Sequence, residues 1–317
     1  MMLGSSARRA VSVVIPCRNA ESFLSETIAS VLAQTHKPAE IIVVDDGSTD
    51  RSKAVAASFG GIVRVIGQAH SGVSSARNRG TAEATGAFVA YLDADDWWHP
   101  RKIEAQIRYL EEYPEVGAVT CGATVKQGDV VVRVLTVSDA AVRAFSALDM
   151  LATPRLPAMS STWLIESRLA KATSFPVGVS VNEDVIHSAL LRSKAQVGAV
   201  EESLAVYRSH PSQRTKGTDS FITGLHARLA WAQQHYQAVG ALTPRDACSA
   251  VLSGAAHDVM SRYWSRDLSR YRTMRRELRE VWPPDMPFPL SSGRIAWPVP
   301  VLRLKDALDA AMTRLQS

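Results

Sequence analysis

Ile41-Ile42-Val43-Val44-Asp45-Asp46-Gly47-Ser48-Thr49-Asp50 is the stretch whose reading decides the fold. Four consecutive apolar residues with no polar alternation describe a strand buried on both faces, as in a parallel sheet. Acids and turn formers follow at once, so the strand delivers polar side chains at its carboxyl end.

The same grammar recurs on either side. Val11 to Ile15 is an apolar run closed by Pro16, and Leu24, Ile28, Val31 and Leu32 then repeat at helical spacing. Ser48 or Thr49 is expected to cap the helix that carries Val55 and Phe59. Ile62 to Ile66 reads as a third strand, Val73 to Ala84 as a helix, and Ala87 to Leu92 as a fourth strand ending in Asp93-Ala94-Asp95-Asp96. Pro100 suits the first turn of a helix bearing Ile103, Ile107 and Leu110. Strands alternating with helices predict an α/β fold with a parallel sheet covered on both faces.

Beyond this the pattern loosens. Val116 to Thr120 and Val130 to Val137 read as strands, Asp139 to Leu151 as one helix, and Ser161 to Ile165 as a further strand. Asn182-Glu183-Asp184 opens a helix, and Leu204 to Tyr207 is a short strand. From Asp219 onward only helical spacing is visible. The proline-rich interval Trp282 to Pro300 precedes a last amphipathic helix with Val301, Leu304, Leu308 and Leu315.

In open parallel sheets ligands bind beyond the carboxyl ends of the strands. Arg18 and Asn19 follow the first strand there, Asp45 and Asp46 the second, and Asp93, Asp95 and Asp96 the fourth. Three acids within four positions repel one another and need a cation, a basic partner or solvent. Hard oxygen ligands of this kind suit Mg2+ or Mn2+ sharing a diphosphate. Arg77 and Arg79, on the preceding helix, could hold phosphate oxygens or balance the aspartates.

Composition narrows the alternatives. The 317 residues are 46% hydrophobic and 21% charged, which is globular rather than disordered. A net charge of +5 is too mild to imply nucleic acid, although seven arginines fall between Arg262 and Arg279. Three widely spaced cysteines, Cys17, Cys121 and Cys248, form no CxxC pair, which argues against a disulfide framework and a cysteine zinc site and suits a reducing cytosol. The apolar run behind Arg8 and Arg9 is only about five residues, short for a secretory signal. No stretch approaches the ~20 apolar residues of a membrane span. The first turn, Cys17-Arg18-Asn19-Ala20, lacks the GxGxxG of a dinucleotide dehydrogenase and the glycine-rich, lysine-bearing loop of a nucleotidyltransferase.

Five ordered segments carry a resemblance: Val11-Ser12-Val13-Val14-Ile15-Pro16, Ser30-Val31-Leu32-Ala33-Gln34-Thr35, Ile41 through Asp50, Gly72-Val73-Ser74-Ser75-Ala76-Arg77-Asn78-Arg79-Gly80 and Tyr91 through Asp96. They resemble the successive signatures of glycosyltransferase family 2, inverting enzymes of the GT-A fold. The match is close over residues 10 to 115. It continues more weakly to 215 through Asn182-Glu183-Asp184 and Ala205-Val206-Tyr207-Arg208-Ser209-His210.

The resemblance implies a GT-A sheet, mostly parallel and mixed, with a helical C-terminal extension. The division would be a tail at 1–10, a catalytic domain at 11–215 (donor half 11–115, acceptor half 116–215) and a helical region at 216–317. It implies that Pro16, Arg18 and Asn19 line the nucleotide pocket, that Asp46 accepts from the base, and that Arg77, Asp93 and Ala94 contact a nucleotide-sugar donor, UDP-linked by expectation. Asp95, with Asp93, would hold Mn2+ or Mg2+. Asp184 would be the base that takes the acceptor proton, with Glu183 beside it. Arg208 and His210 match a Tyr-Arg-x-His pattern and would touch the diphosphate, the acceptor or Glu183.

Two departures stand out. Arg18 occupies a position usually aromatic in the family, and Val185 stands where a tryptophan usually follows the Glu-Asp pair. The acceptor is expected to be a saccharide or glycolipid, in cell-surface polysaccharide assembly on the cytoplasmic side. A catalytically inactive nucleotide-sugar-binding or scaffold protein of the same fold is the competing reading. The arginine-aromatic stretch 261–280 could rest on an anionic inner-membrane face or pack as a solvated helix. The last helix could extend the core or join a homodimer, and no nucleic-acid module is present.

Overall fold

A computed structural model describes residues 9–152, 159–211, 213, 219–264, 267–284 and 288. The first four strands are β1 (Val11–Cys17), β2 (Glu40–Asp46), β3 (Val63–Gln68) and β4 (Phe88–Tyr91), all parallel where they pair. Helices α1 (Leu24–Leu32), α2 (Ser52–Ser58) and α3 (Val73–Glu83) connect them. The strand β5 (Trp97–Trp98) and helix α4 (Lys102–Glu112) follow.

The second half adds β6 (Val116–Gln127), β7 (Val130–Leu135), α5 (Asp139–Ala144), α6 (Ala147–Ala152), β8 (Leu164–Glu166), α7 (Ser167–Ala172), α8 (Glu183–Lys194) and β9 (Gln196–Arg208). Helices α9 (Asp219–His235), α10 (Pro244–Trp264) and α11 (Leu268–Val281) complete it. Sheet order is β3-β2-β1-β4-β8-β6-β9-β5, with β7 on β6. Direction reverses at β8, which is antiparallel to both β4 and β6, so the sheet is mixed as expected.

The two-residue period of a strand divides the core. Val14, Ile42 and Val44 share one cluster with Ile186, Leu225, Val251 and Leu278, whereas Val13, Ile15, Ile41 and Val43 share another with Leu24, Ile28, Ile103 and Ile107. The C-terminal helices therefore belong to the same core as the first strands. Gly80 lets α3 lie close on the sheet, because a Cβ there would collide with Val14 Cγ1.

Several expectations require correction. The helix expected from Asp139 to Leu151 is two helices: Phe145 is extended at ψ 134°, and Ser146 and Asp149 cap the restart reciprocally. Ser161 lies in a 3-10 turn (Ser160–Thr162), and the strand itself is Leu164–Glu166. The short strand expected at Leu204 is the end of thirteen-residue β9, whose register slips where Glu201, Glu202 and Ser203 interrupt the apolar run. Asp50, not Ser48 or Thr49, receives the Ser52 N–H at the start of α2. The arginine-rich stretch spans the end of α10 and all of α11, where Met274 and Leu278 are buried and Arg270, Arg272, Arg276 and Arg279 are exposed. The last amphipathic helix, Val301 to Leu315, lies outside the described residues.

Candidate active site

The carboxyl ends of β1, β2 and β3 are knitted together by side chains. Asn19 adopts a left-handed φ of 50°, which asparagine tolerates. Its Oδ1 accepts from Thr49 N at 2.8 Å and its own N–H donates to Ser48 Oγ at 3.0 Å. Pro16 is buried in β1, and Arg18 projects outward.

Asp46 is 3% exposed and takes four donors: Gln68 Nε2 and Ser71 N on Oδ1, His70 Nδ1 and Gly72 N on Oδ2, all at 2.8–2.9 Å. Burial opposes its ionisation, but these donors outweigh burial and hold the carboxyl below the usual range. Arg18 also meets His70 Nε2. A guanidinium only donates, so Nε2 accepts and Nδ1–H is the group given to Asp46. Gln68 and His70 were missed in the sequence. Their signal was the polar segment between a strand end and Gly72.

The Asp93–Asp96 loop follows β4. Asp93 Oδ1 accepts from Arg77 Nη2 at 2.6 Å, and the buried Ala94 accepts at its carbonyl from Thr27 Oγ1. Asp95 Oδ2 lies 3.0 Å from His210 Nε2. Arg208 donates from Nε to the Asp95 carbonyl and from its backbone N to Asp96 Oδ1, with its guanidinium over Phe23 and Trp97. Ser161 Oγ accepts from Asp93 N and donates to Asp96 Oδ2, fixing the loop from the other side. Arg208 and His210 are thus brought to the acidic loop, as is Ser161, which carried no sequence signal.

Arg77 is 2% exposed and reaches both halves of the site: besides Asp93, its Nη1 donates to Glu183 Oε1 at 3.1 Å. Phe175 and the neutral His187, held to about 3 by burial and by Arg77, back it on the protein side. Arg79 is elsewhere, on the surface with Glu83. Asp184, half-buried beside Glu183 at the start of α8, is pushed up to about 7 by burial and then by Glu183, with Arg77 and the Val185 N–H opposing.

The acidic loop suits a divalent cation. Burial and the neighbouring Asp93 raise the Asp95 carboxyl above its ordinary value, with His210 opposing. Among the described residues no group of three or more His, Cys, Asp or Glu side chains is assembled as a complete metal cage. Mg2+ and Mn2+ are commonly held by one or two carboxylates with the rest supplied by substrate phosphates and water, which fits Asp95 and Asp93.

The profile of the family described as Glycosyl transferase family 2 matches residues 12–153. Residues 12–153 belong to glycosyl transferase family 2. Within it, an uncharacterized glycosyltransferase of Nostoc sp. is 42% identical over 113 residues, 34% of this chain and 35% of that protein. The chain spans about a third of the length of the curated relatives it matches. Similar solved structures share the GT-A fold. S. aureus TarS in complex with UDP-GlcNAc has TM-score 0.58 and 16% identity, over 86% of this chain and 92% of that one. A mannosyltransferase of Pyrobaculum calidifontis in complex with GDP-Man and Mn2+ has TM-score 0.54 and 20% identity, over 95% and 79%.

Proposed function

We propose that this family 2 chain is a metal-dependent inverting glycosyltransferase that moves a sugar from a nucleoside-diphosphate sugar, UDP-linked, to a saccharide or glycolipid hydroxyl. The observation that carries this reading is the buried Arg77, which ties Asp93 of the acidic loop to Glu183 beside Asp184. One guanidinium thereby holds the acidic loop and the Glu183 carboxylate, next in the chain to Asp184, in fixed relation. The nucleotide-sugar complexes of TarS and of the Pyrobaculum mannosyltransferase support the donor class, and the Mn2+ of the latter supports the metal.

In this reading Pro16, Arg18 and Asn19 receive the nucleoside. Asp46 takes a donor from the base in exchange for the half-exposed His70. Arg77, Asp93 and Ala94 line the sugar-diphosphate, and Arg208 and His210 border it. Asp95, with Asp93, would hold Mn2+ or Mg2+, which when bound offsets negative charge on the departing diphosphate. The acceptor hydroxyl attacks the anomeric carbon as its bond to the diphosphate oxygen breaks. Asp184 takes the hydroxyl proton, and the nucleoside diphosphate leaves with the bonding pair. Glu183 adds to burial in raising the Asp184 pKa and holds Arg77.

Assembly of a cell-surface polysaccharide at the cytoplasmic face of a membrane is the setting this chemistry suits. No helix among the described residues is long and apolar enough to cross a bilayer, and the exposed arginines of α11 would face anionic headgroups.

The test is release of nucleoside diphosphate from a panel of nucleotide sugars with and without Mn2+. Asp184→Asn and Asp95→Ala should each lower turnover by about 10²–10⁴. Full activity in both variants overturns the assignment.

A further inference from the structure

Lys102 is a buried cation that the proposed chemistry leaves unused. It is the first residue of α4 and is wholly enclosed by protein. Among the described residues no carboxylate pairs with it. Burial pushes its ammonium down to about 8, against an upward pull from Cys121, so it still carries charge at neutral pH. The N-terminal end of a helix also disfavours a cation. Desolvation and the helix dipole thus both oppose a charge that the fold nevertheless keeps.

Its contacts lead to the acidic loop by two routes. The ammonium sits over the Trp98 ring, 4.1 Å from its centroid, and Trp98 Nε1 donates to the Ser161 carbonyl at 2.8 Å. Lys102 Nζ also donates to Gln106 Oε1 at 2.8 Å. An ammonium only donates, so it takes the oxygen end of the amide and leaves the NH2 for carbonyls. Gln106 Nε2 accordingly donates to the Thr162 carbonyl at 2.8 Å and to the Val119 carbonyl at 3.0 Å. Both routes end on the 3-10 turn Ser160–Thr162. From that turn the Ser161 hydroxyl accepts from Asp93 N and donates to Asp96 Oδ2.

We propose that Lys102 is a positioning residue for the acidic loop. By gripping Trp98 and Gln106 together, it holds the Ser160–Thr162 turn where Ser161 can set the loop for a divalent cation. The proposal rests on the reading of Asp95 and Asp93 as the holders of Mn2+ or Mg2+. Groups behind the direct ligands orient them, and losing one typically weakens metal affinity about 10–100-fold. Lys102 acts through Trp98, Gln106 and Ser161, which places it at the lower end of that range.

Calorimetric titration of the full chain with MnCl2 in the presence of UDP tests the proposal, together with thermal unfolding without metal. Lys102→Met removes the charge and keeps the length of the side chain. Its metal-free midpoint should stay close to the parent's, because relief of a buried unpaired charge offsets the lost Gln106 contact. Mn2+ binding should nevertheless weaken about tenfold. The Mn2+ concentration for half-maximal turnover should rise with it, while turnover at saturating Mn2+ changes little. Trp98→Phe keeps a ring under the ammonium but deletes the donor to Ser161, and it should weaken Mn2+ binding even if the methionine variant does not fold. Ser161→Ala interrupts the same routes further along, so combining it with Lys102→Met should weaken binding less than the two losses added. Parent affinity for Mn2+ in a folded Lys102→Met chain or in Trp98→Phe overturns the proposal, as does full additivity in the double variant. So does weaker binding accompanied by a matching loss of metal-free stability, which would make the lysine merely structural. A parent chain that takes up no Mn2+ overturns the metal reading itself, and this proposal with it.

Discussion

Arg77 Nη1 meets Glu183 Oε1 at 3.1 Å across 106 residues of chain, and both side chains are buried. Removing one member of a buried ion pair leaves the other charge uncompensated, at about 3–5 kcal/mol. Arg77→Met should therefore lower the midpoint of thermal unfolding sharply as well as abolish turnover. Arg77→Lys keeps the charge but cannot present a planar fork to Asp93 and Glu183 together. It should retain more stability than the methionine variant and little more activity. Equal stability of Arg77→Met and the parent chain would contradict the pairing.

The raised Asp184 carboxyl predicts a pH profile. A base must be unprotonated, so kcat/KM should rise with pH through about 7 and then level. Glu183 is the second cause of the upward shift, after burial. Glu183→Gln removes that negative charge while keeping the shape, so the rising limb should move to lower pH. An unmoved limb would mean that another group carries the proton.

Asp46 anchors the loop from Gln68 to Gly72 through four donors, and hydrogen bonds to a charged acceptor contribute about 1.5–3 kcal/mol each without adding fully. Asp46→Ala should cost about 2–4 kcal/mol near neutral pH, measured by urea unfolding. The folded carboxyl is held below its ordinary value, so its contribution is present above the unfolded value of about 4 and is lost as pH falls through the folded one. The gap between variant and parent should narrow in acid. A gap that widened would reverse the sign of the linkage.

Gly80→Ala places a methyl group against Val14 and Val44, two β-branched side chains buried in adjacent strands. Neither can turn away without leaving its rotamer. A loss of about 1–3 kcal/mol is expected, read as a lower unfolding midpoint. An unchanged midpoint would show that α3 shifts freely on the sheet.

The parallel half was legible because strands buried on both faces write themselves as unbroken runs, Val11 to Ile15 and Ile41 to Val44, and because chemistry collects where such runs stop. Asp93, Asp95, Asp46 and Arg77 stood out for that reason. Ser161 did not, because its hydroxyl matters only through Asp93 and Asp96, more than sixty residues earlier. His70 was hidden likewise, being one polar residue in a loop until Arg18 and Asp46 fold onto its two nitrogens. The break at Phe145 and the length of β9 were obscured where local polarity contradicts a tertiary partner.

Gly224 on α9 sits so close to Asn182 that a Cβ there would overlap the asparagine Oδ1. Asn182 holds a left-handed φ of 65° immediately before Glu183 and Asp184. A residue without a side chain, in a helix outside the family-matched stretch, thus leaves room for the side chain of the residue that precedes the two acids of the proposed site. Inheritance at such a position would follow the shape it leaves empty rather than any reactivity of its own. Drift in the C-terminal helices would then be felt as altered turnover even where every signature residue is intact.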